Sequence, residues 1–296
     1  NLEESTLSSV VNDLQRAREL TIQANNASMT APDRHAIAVE LSAILESIIA
    51  AGNTQDASGE YIFAGFQSDT RPFTQTSSGA TYNGDDGQRF MQVSANVQIA
   101  ASNSGNEVFM SAGAGNGSFD YRGSANNTGT ATVTSTSAAA NYVPETYTLA
   151  FIQANPTDPV TYTVTGDTSG QVATGTYTQD GAITFANGEI RLSGTPANGD
   201  SFTISSLPRQ DIFTTIKDLE SILAGASDTT SGRIRVHNEA SRGLINIDNA
   251  LEKILTVQAD VGTRMRRAEM QTDTNEAFNY QLQETLSVLQ DLDYAE

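Results

Sequence analysis

The chain has 296 residues, of which 35 are Asp or Glu and 16 are Lys or Arg, so its formal net charge is −19. Such an acidic chain is poorly suited to binding nucleic acid or an anionic membrane surface, because both are bound through basic side chains. The sequence has no Cys, which excludes disulfides, thiolate nucleophiles and Cys-based zinc or iron–sulfur sites. The length is typical of about two domains.

The sequence also lacks the usual targeting patterns. The strongest apolar runs, such as Ile48 to Ala51, are far shorter than the roughly 20 residues that predict a transmembrane helix. Residues 1–25 are amphipathic and lack the basic-then-apolar order of a signal peptide. Because the chain starts at Asn1 and a helical pattern still runs at Glu296, we interpret it as a fragment of a longer protein.

Two amphipathic helices are predicted at the N-terminal end. Over residues 5–28, apolar side chains recur in steps of three and four, which places them on one helix face. Thr30 and Pro32 predict the start of a second helix, since Thr caps helices well and Pro is tolerated in the first turn. We expect this helix to end between Gly52 and Ser58.

Short β-hairpins are predicted between about residues 60 and 100. Residues 61–63, 72–73 and 89–93 are strand-like, and the turn-rich residues 82–87 separate the last two. We interpret residues 83–87 as a hairpin turn and not a cation loop, because the spaced ligands and terminal Glu of an EF-hand are missing. These hairpins are expected to lie along the helical segments.

A β domain is predicted at residues 111–205, inserted between helical segments. Residues 101–140 contain 23 Ser, Thr, Gly or Asn among 40, which predicts a loop-rich lead. Six short alternating runs follow, bounded by turns such as Asp180-Gly181 and Asn187-Gly188, and this pattern is typical of hairpins. No Lys or Arg lies between Gly123 and Ile190, so this stretch is poorly suited to binding phosphate.

The C-terminal third predicts two more helices. Asp211 is a good N-cap for the first, and Gly225 would end it. From Arg233 onward, a seven-residue repeat predicts a coiled-coil-like helix of about 60 residues, on the order of 90 Å long. Gly262 and the polar residues 269–279 are its weak points, and two shorter helices are the alternative. The repeat is formed by His237, Ala240, Leu244, Ile247, Leu251, Ile254, Gln258, Val261, Met265 and Ala268.

These elements together predict an α+β protein, in which a long antiparallel helical rod with short β-hairpins carries an inserted all-β domain. The rod is assigned to residues 1–110 and 206–296, and the β domain to residues 111–205. We predict that Leu251→Asp melts the rod and leaves the β domain folded. The expected rod core consists of Leu7, Leu14, Ile37, Leu41, Ile48, Leu244, Ile247, Leu251 and Ile254.

The sequence offers little catalytic chemistry. Both the His-Glu-x-x-His and the Gly-x-Ser-x-Gly motifs are missing, and the chain has two His, His35 and His237. Residues 113–117 are Gly-rich but lack the strand-to-helix context of a phosphate loop, so we interpret them as a linker. The basic residues 264–267 are interpreted as a solvated helix face or a contact with an acidic partner subunit. We therefore expect no catalytic residue, metal site or cofactor, and no enzyme.

Several stretches resemble proteins of the bacterial flagellum. Residues 14–26, LQRARELTIQANN, are similar to the N-terminal helical signature of flagellin, and residues 291–296 to the segment before its terminal axial helix. Residues 53–65 with Pro72-Phe73, residues 82–89 and residues 194–202 with 211–213 resemble the hook–filament junction proteins of the FlgL family. The Phe-Asn-Gly motif that flagellin has after its second helix is missing. The resemblance implies a flagellin-like coiled-coil bundle.

The resemblance also implies a function. Proteins of this kind form a ring between hook and filament, adapt the hook side to flagellin and transmit torque. The implied partners are the other hook-associated junction protein, flagellin, further copies of the same chain and an export chaperone. The implied location is extracellular, after export through the flagellar type III apparatus. Ring assembly is expected to need the family's terminal axial segments, which lie outside this sequence, and to use Arg16, Arg18, Glu19 and Gln23 as inter-subunit contacts.

Two alternatives stay open at this point. In the first alternative, the chain is flagellin itself or a minor filament subunit, and the full-length protein would grow long filaments alone. In the other alternative, the β domain hosts a carbohydrate-binding or enzymatic module. Its tyrosines Tyr142, Tyr147, Tyr162 and Tyr177 would then stack on sugars, although strand aromatics usually belong to the core.

Overall fold

The computed structural model describes residues 2–94, 97–206 and 209–293. The helices in these ranges are α1 (Leu2–Ala24), α2 (Ala31–Gly52), α3 (Ile212–Ala224) and α4 (Thr230–Asp293), with a π-helical turn at Asn106–Met110. The strands are β1 (Phe73–Thr76), β2 (Gly79–Tyr82), β3 (Phe90–Ser94), β4 (Val97–Ala100), β5 (Ala112–Gly113), β6 (Asp120–Gly123), β7 (Thr132–Ala138), β8 (Tyr147–Ile152), β9 (Thr161–Gly166), β10 (Gly170–Thr176), β11 (Ala182–Phe185), β12 (Gly188–Ser193), β13 (Ser201–Ser205) and β14 (Arg209–Gln210).

Two of the helices start at the capping residues that the sequence predicted. At α2, the Thr30 side chain accepts a hydrogen bond from the Asp33 backbone, and the Asp33 carboxylate accepts one from the Thr30 backbone in return. At α3, Asp211 accepts a hydrogen bond of 2.6 Å from the backbone amide of Thr214. These bonds satisfy amides that have no partner within the first helical turn.

The last helix is continuous over its described length. α4 has 64 residues and is therefore about 96 Å long at 1.5 Å per residue. It passes through Gly262 and residues 269–279 without a break, so the alternative of two shorter helices is wrong for residues 230–293. No Pro interrupts it, and one Gly inside a helix costs only about 1 kcal/mol.

Helices α1–α4 pack together into a bundle, which is the helical part of the predicted rod. α1 is antiparallel to α4, since Arg18 bonds Asp248 at 2.7 Å and Ser8 bonds Gln258 at 3.0 Å. α2 packs against α1 and α3, and side chains of all four helices share one apolar core. Burial of these apolar faces is the main stabilising contribution to the rod.

The face of α4 that enters this core lies beside the predicted repeat. Leu244 and Leu251 are only half-buried, next to the buried line. The line contains Val236, Ala240, Gly243, Ile247, Ala250, Ile254, Val257 and Val261, all of them buried. The other predicted core residues, Leu7, Leu14, Ile37, Leu41, Ile48, Ile247 and Ile254, are buried. A Cβ at Gly243 would lie 2.5 Å from Leu219 Cδ2, so the close approach of α3 leaves no room for a side chain there.

α2 requires a correction to the sequence analysis. It is long and apolar enough, by length and composition alone, to cross a membrane, which we had not expected of any segment. In the fold, 44% of its most apolar window is buried inside the protein, where α2 packs on α1 and α3. Packing inside the rod therefore accounts for its composition.

Eight strands between α2 and α3 build two antiparallel sheets around a second core. The five-stranded sheet has the order β10-β9-β8-β13-β6, and the three-stranded sheet has the order β11-β12-β7. The core between them contains Phe119, Tyr147, Phe151 and Phe202, and it shares no described residue with the core of the rod. The Asn187-Gly188 turn joins β11 to β12 as predicted, with Ala186 and Asn187 at φ values of 44° and 63°.

Two details of these sheets differ from the prediction. β6 and β7 both lie inside the stretch predicted to be a loop-rich lead. β7 pairs with β12 over six register positions. Thr and Ser fill its exposed positions while Val133 is buried, so a strand forms despite the low-complexity composition. The Asp180-Gly181 turn connects β10 to β11, which lie in different sheets, so it is not a hairpin turn.

The segment between α2 and the two sheets contains the predicted hairpins, with two corrections. β1 pairs with β2 and β3 pairs with β4, but residues 61–63 form only an isolated bridge through Tyr61. Residues 83–87 connect β2 to β3 and therefore join two hairpins instead of closing one. The β3–β4 hairpin lies against α4, where Asn275 Nδ2 donates a hydrogen bond of 3.0 Å to Val93 O.

Candidate assembly surfaces

Of the four residues proposed as inter-subunit contacts, Arg16, Glu19 and Gln23 are exposed on α1, and Arg18 is half-buried beside α4. Arg16 Nε donates to Glu40 on α2 at 2.6 Å, and Arg18 Nε donates to Asp248 on α4 at 2.7 Å. The two arginines therefore link α1 to its neighbours within the chain. Exposed ion pairs of this kind contribute only about 0–1 kcal/mol each, so they do not exclude a second role at a subunit contact.

A second surface lies on the C-terminal half of α4. Since Gln258 bonds Ser8 in the antiparallel pair, α4 continues well beyond the first described residues of α1. This part of α4 carries large apolar side chains that are each more than half exposed: Met270, Phe278, Tyr280, Leu282 and Leu286. Exposed apolar side chains concentrated on one element are typical of an interaction surface.

The loop considered as a cation site uses its carboxylate within the fold. Asp85 Oδ1 accepts hydrogen bonds of 2.8 Å from the backbone amides of Phe66 and Gly87. These bonds lower the pKa of Asp85 below its ordinary value. The carboxylate therefore organises the connection between β2 and β3.

The described residues show no assembled metal site. Within them, no group of three or more His, Asp or Glu is placed to hold a metal ion. His35 and His237 are both exposed, so His237 is not the packing residue of the predicted repeat. The Gly-rich residues 113–117 are not a free linker, because Gly115 N donates to Asn246 Oδ1 on α4 at 2.8 Å.

The tyrosines considered for sugar stacking belong to the core of the two sheets. Tyr147 is fully buried, and Tyr142, Tyr162 and Tyr177 are half-buried against the same core. The Tyr147 hydroxyl donates to Val143 O at 2.7 Å, as expected of a buried phenol. These rings form no exposed platform, so nothing in this arrangement favours a carbohydrate site.

In the basic cluster at residues 264–267, one arginine forms hydrogen bonds within the fold and two are exposed to solvent. Arg264 hydrogen-bonds the side chain of Asn103, whose backbone amide donates to Glu3 Oε1 at 2.9 Å. This chain of contacts joins the start of α1 to α4. Arg266 and Arg267 are exposed, so the interpretation as a solvated face or a partner contact applies to these two.

Glu3 is the origin of a testable pH dependence. It is 2% exposed, and this burial raises the pKa of its carboxyl above the ordinary 4.5, although Asn103 and Arg264 act in the opposite direction. The folded protein therefore holds this proton more tightly than the unfolded chain. The resulting stability is present below the ordinary pKa and is lost as the pH rises through the raised one.

We expect Glu3→Gln to remove this contribution, because the amide does not titrate but keeps an oxygen that accepts the Asn103 bond. The free energy of unfolding should then depend less on pH above about pH 4.5 than in the parent protein, measured by urea denaturation between about pH 4 and pH 8. Glu4→Gln at the exposed neighbouring position is the control. Equal slopes for both variants and the parent would contradict the assignment.

A buried ion cluster where α4 meets β6 was missed by the sequence analysis. Arg242 donates to Asp120 on β6 at 2.7 Å and to Glu239 at 3.0 Å. Burial lowers the pKa of Arg242, but the neighbouring carboxylates raise it overall, so the guanidinium stays charged. Burial raises the pKa of Glu239. No local pattern identifies the Arg242–Asp120 pair, because 122 positions separate the two residues.

Comparison with known proteins decides the family. No protein-family model matches the chain. The crystal structure of FlgL from Xanthomonas campestris superposes with a TM-score of 0.86 at 31% identity, over 97% of this chain and 92% of that one. The flagellar junction protein FlgL from Legionella pneumophila gives a TM-score of 0.84 at 36% identity, over 94% and 87% of the two chains. The chain belongs to the FlgL family.

Curated members of the FlgL family align over less of the sequence. Flagellar hook-associated protein 3 of Salmonella typhimurium is 32% identical over 111 residues, which are 38% of this chain and 34% of that protein. The match thus spans about a third of the length of this relative. The mixed helix-and-strand fold that the sequence elements predicted is confirmed, since it is shared with the solved FlgL structures over nearly the whole chain.

Proposed function

We propose that this chain belongs to a structural protein of the bacterial flagellum that forms the ring-like junction between hook and filament. The observation that carries the proposal is the 36% identity, over 94% of the chain, to a flagellar junction protein of Legionella pneumophila. The Salmonella relative, which is named a hook-associated protein, supports the same location. In this role the chain adapts the hook side to flagellin and transmits torque, and it is not an enzyme.

The rod is suited to carrying torque along the flagellar axis. α4 is one helix of 64 residues, and α1 packs against it in the antiparallel direction. Two helices with a shared apolar seam resist bending better than one, because bending would separate side chains that are packed together. We propose that the exposed apolar residues on the C-terminal half of α4 are covered in the assembled flagellum.

We further propose that residues 111–205 form an inserted β domain, and residues 1–110 with 206–296 a discontinuous rod domain. The separate apolar core of the two sheets supports this division, since a domain is expected to have its own core. No Lys or Arg lies between Gly123 and Ile190, and the polar surface that results suits an outward position on a soluble tube.

The partners proposed for the whole protein follow from the family. They are the other hook-associated junction protein, flagellin, further copies of the same chain in the ring, and an export chaperone before assembly. Head-to-tail contacts between copies build rings or helical arrays, depending on whether the rotation closes. We propose an extracellular location in the flagellum, after export through the flagellar type III apparatus.

Assembly on purified hooks tests the proposal. The full-length protein, with the family's terminal segments, is added to hooks alone, or after the other junction protein, and flagellin is added last. We expect electron microscopy to show a short terminal layer that forms only after the other junction protein, and from which flagellin then extends. Long filaments of the protein alone would instead identify a flagellin, and no layer under any order of addition would reject the junction role.

The proposed inter-subunit contacts on α1 have a separate test. Glu19→Lys and Gln23→Lys, each in the full-length protein, should reduce the amount bound to hooks without a change in Tm, because both side chains are exposed. Glu46→Lys, on the exposed side of α2, has the same charge change as Glu19→Lys and is its matched control. Equal binding by all three variants would mean that Glu19 and Gln23 face solvent in the assembled ring and form no inter-subunit contact.

A further inference from the structure

We propose that the buried ion cluster around Arg242 fixes the orientation of the two β sheets on the rod, so that the sheets reorient when its geometry is lost. This inference goes beyond the junction role and does not depend on it. Arg242 is on α4, and its side chain is 6% exposed. Its guanidinium bonds reach two other elements, to Asp120 on β6 at 2.7 Å and to Asp218 on α3 at 3.3 Å.

The cluster contains more charges than one pair. Glu239, one turn before Arg242 on α4, accepts a bond of 3.0 Å from Arg242 Nη1. Arg122 on β6 pairs with Asp218, so β6 contributes both an acid and a base. Planar guanidinium groups hold several carboxylates in fixed directions at once. The mutual position of α3, α4 and β6 is therefore set by directional bonds.

The neighbouring contacts between α4 and the sheets are also polar. Asn238 on α4 accepts from Val133 N and donates to Ala131 O, each at 3.0 Å. Asn246 accepts from Gly115 N at 2.8 Å. The apolar core of the rod and that of the sheets share no described residue. Because apolar contact is non-directional and hydrogen-bonded networks are directional, the angle between rod and sheets depends on these polar side chains.

The surrounding structure leaves room for the sheets to move. A cleft of about 500 Å³ opens beside Arg242, where Tyr121, Arg209 and Asp211 line its walls. Two chain segments cross between the rod and the sheets, and each contains a strand of two residues, β5 in the first and β14 in the second. Among the described strands, the pairing of β5 with β14 is the only ladder between these segments. Once the ion cluster is lost, this short ladder and the bonds of Asn238 and Asn246 remain, and the open cleft leaves room for rotation about them.

Distance measurements between spin labels test this proposal on the whole chain. The sequence has no Cys, so Gln171→Cys on β10 and Thr256→Cys on α4 give two unique labels at exposed positions. In the parent, double electron–electron resonance should give a narrow distance distribution. Arg242→Met should broaden it, because the guanidinium no longer fixes Asp120 and Asp218. A second pair, Gln171→Cys with Ser135→Cys inside the sheets, should keep its distribution in every variant.

Arg242→Lys keeps the test decisive if Arg242→Met does not fold. Lys retains the charge that the buried carboxylates need but lacks the planar fork, so we expect a folded protein with a broadened distribution between rod and sheets. Arg18→Met removes an exposed ion pair between α1 and α4, away from the sheets, and should leave the distribution narrow. A narrow distribution in folded Arg242→Lys or Arg242→Met would overturn the proposal, as would equal broadening in Arg18→Met.

Discussion

Replacement of Ile254 by Asp is expected to unfold the rod. Ile254 is fully buried on α4 and belongs to the core that all four helices share. The substitution removes an apolar side chain and places a carboxylate inside the apolar core, which together should lower the free energy of unfolding by roughly 4 kcal/mol or more. Since the core of the sheets contains no residue of α4, their β signal is expected to persist after the helical signal is lost.

Two neighbouring leucines provide matched controls on the same helix. Leu255 is 52% exposed, so Leu255→Asp should change the free energy of unfolding by about 0.5 kcal/mol or less. Leu251 is half-buried at the edge of the core, and Leu251→Asp should fall between the two, with a smaller effect than the sequence analysis predicted. Urea denaturation followed by circular dichroism at the helical and β wavelengths measures all three. An equal loss of stability in the Ile254 and Leu255 variants would contradict the assigned core.

The buried face of α4 shows which core positions the spacing of apolar residues can predict and which it cannot. The three-four spacing correctly identified a helix and half of its buried positions, Ala240, Ile247, Ile254 and Val261. The prediction also placed Leu244 and Leu251 in the core because their side chains are large and apolar. The buried positions are instead those of the preceding residues, Gly243 and Ala250. At Gly243, Leu219 of α3 approaches too closely for a side chain, and this distance is a property of the packed bundle.

Contacts between distant parts of the chain could not be predicted in the same way. The strands β8, β9, β11, β12 and β13 follow from local alternation and turns, which act over a few residues. The Arg242–Asp120 and Arg18–Asp248 pairs join residues 122 and 230 positions apart, and a local pattern contains no information on such partners. β7 was missed for a related reason, since Thr and Ser on its exposed side resemble a loop until β12 pairs with it.

Replacement of Phe73 by Ala is expected to cost the next largest amount of stability. Phe73, on β1, is fully buried, and its ring centroid lies 5.2 Å from that of Phe109 and 4.9 Å from that of Phe213 on α3. Both backbone polar groups of Phe73 are held by the Asn53 side chain, with bonds of 2.8 and 2.9 Å. This aromatic cluster therefore attaches the β1–β2 hairpin to the end of α2 and to α3.

The Ala variant leaves a cavity that its neighbours cannot fill, because the rings of Phe109 and Phe213 are fixed by their own packing. We expect a loss of about 3–5 kcal/mol in the free energy of unfolding, and a smaller loss for Phe73→Leu, which keeps more of the volume. Phe278→Ala is the control, since Phe278 is 60% exposed on α4 and should lose no more than about 0.5 kcal/mol. Urea denaturation measures these differences. If Phe73→Ala were as stable as Phe278→Ala, the hairpin would contribute nothing to the rod, and the aromatic cluster would have to be assigned to local packing alone.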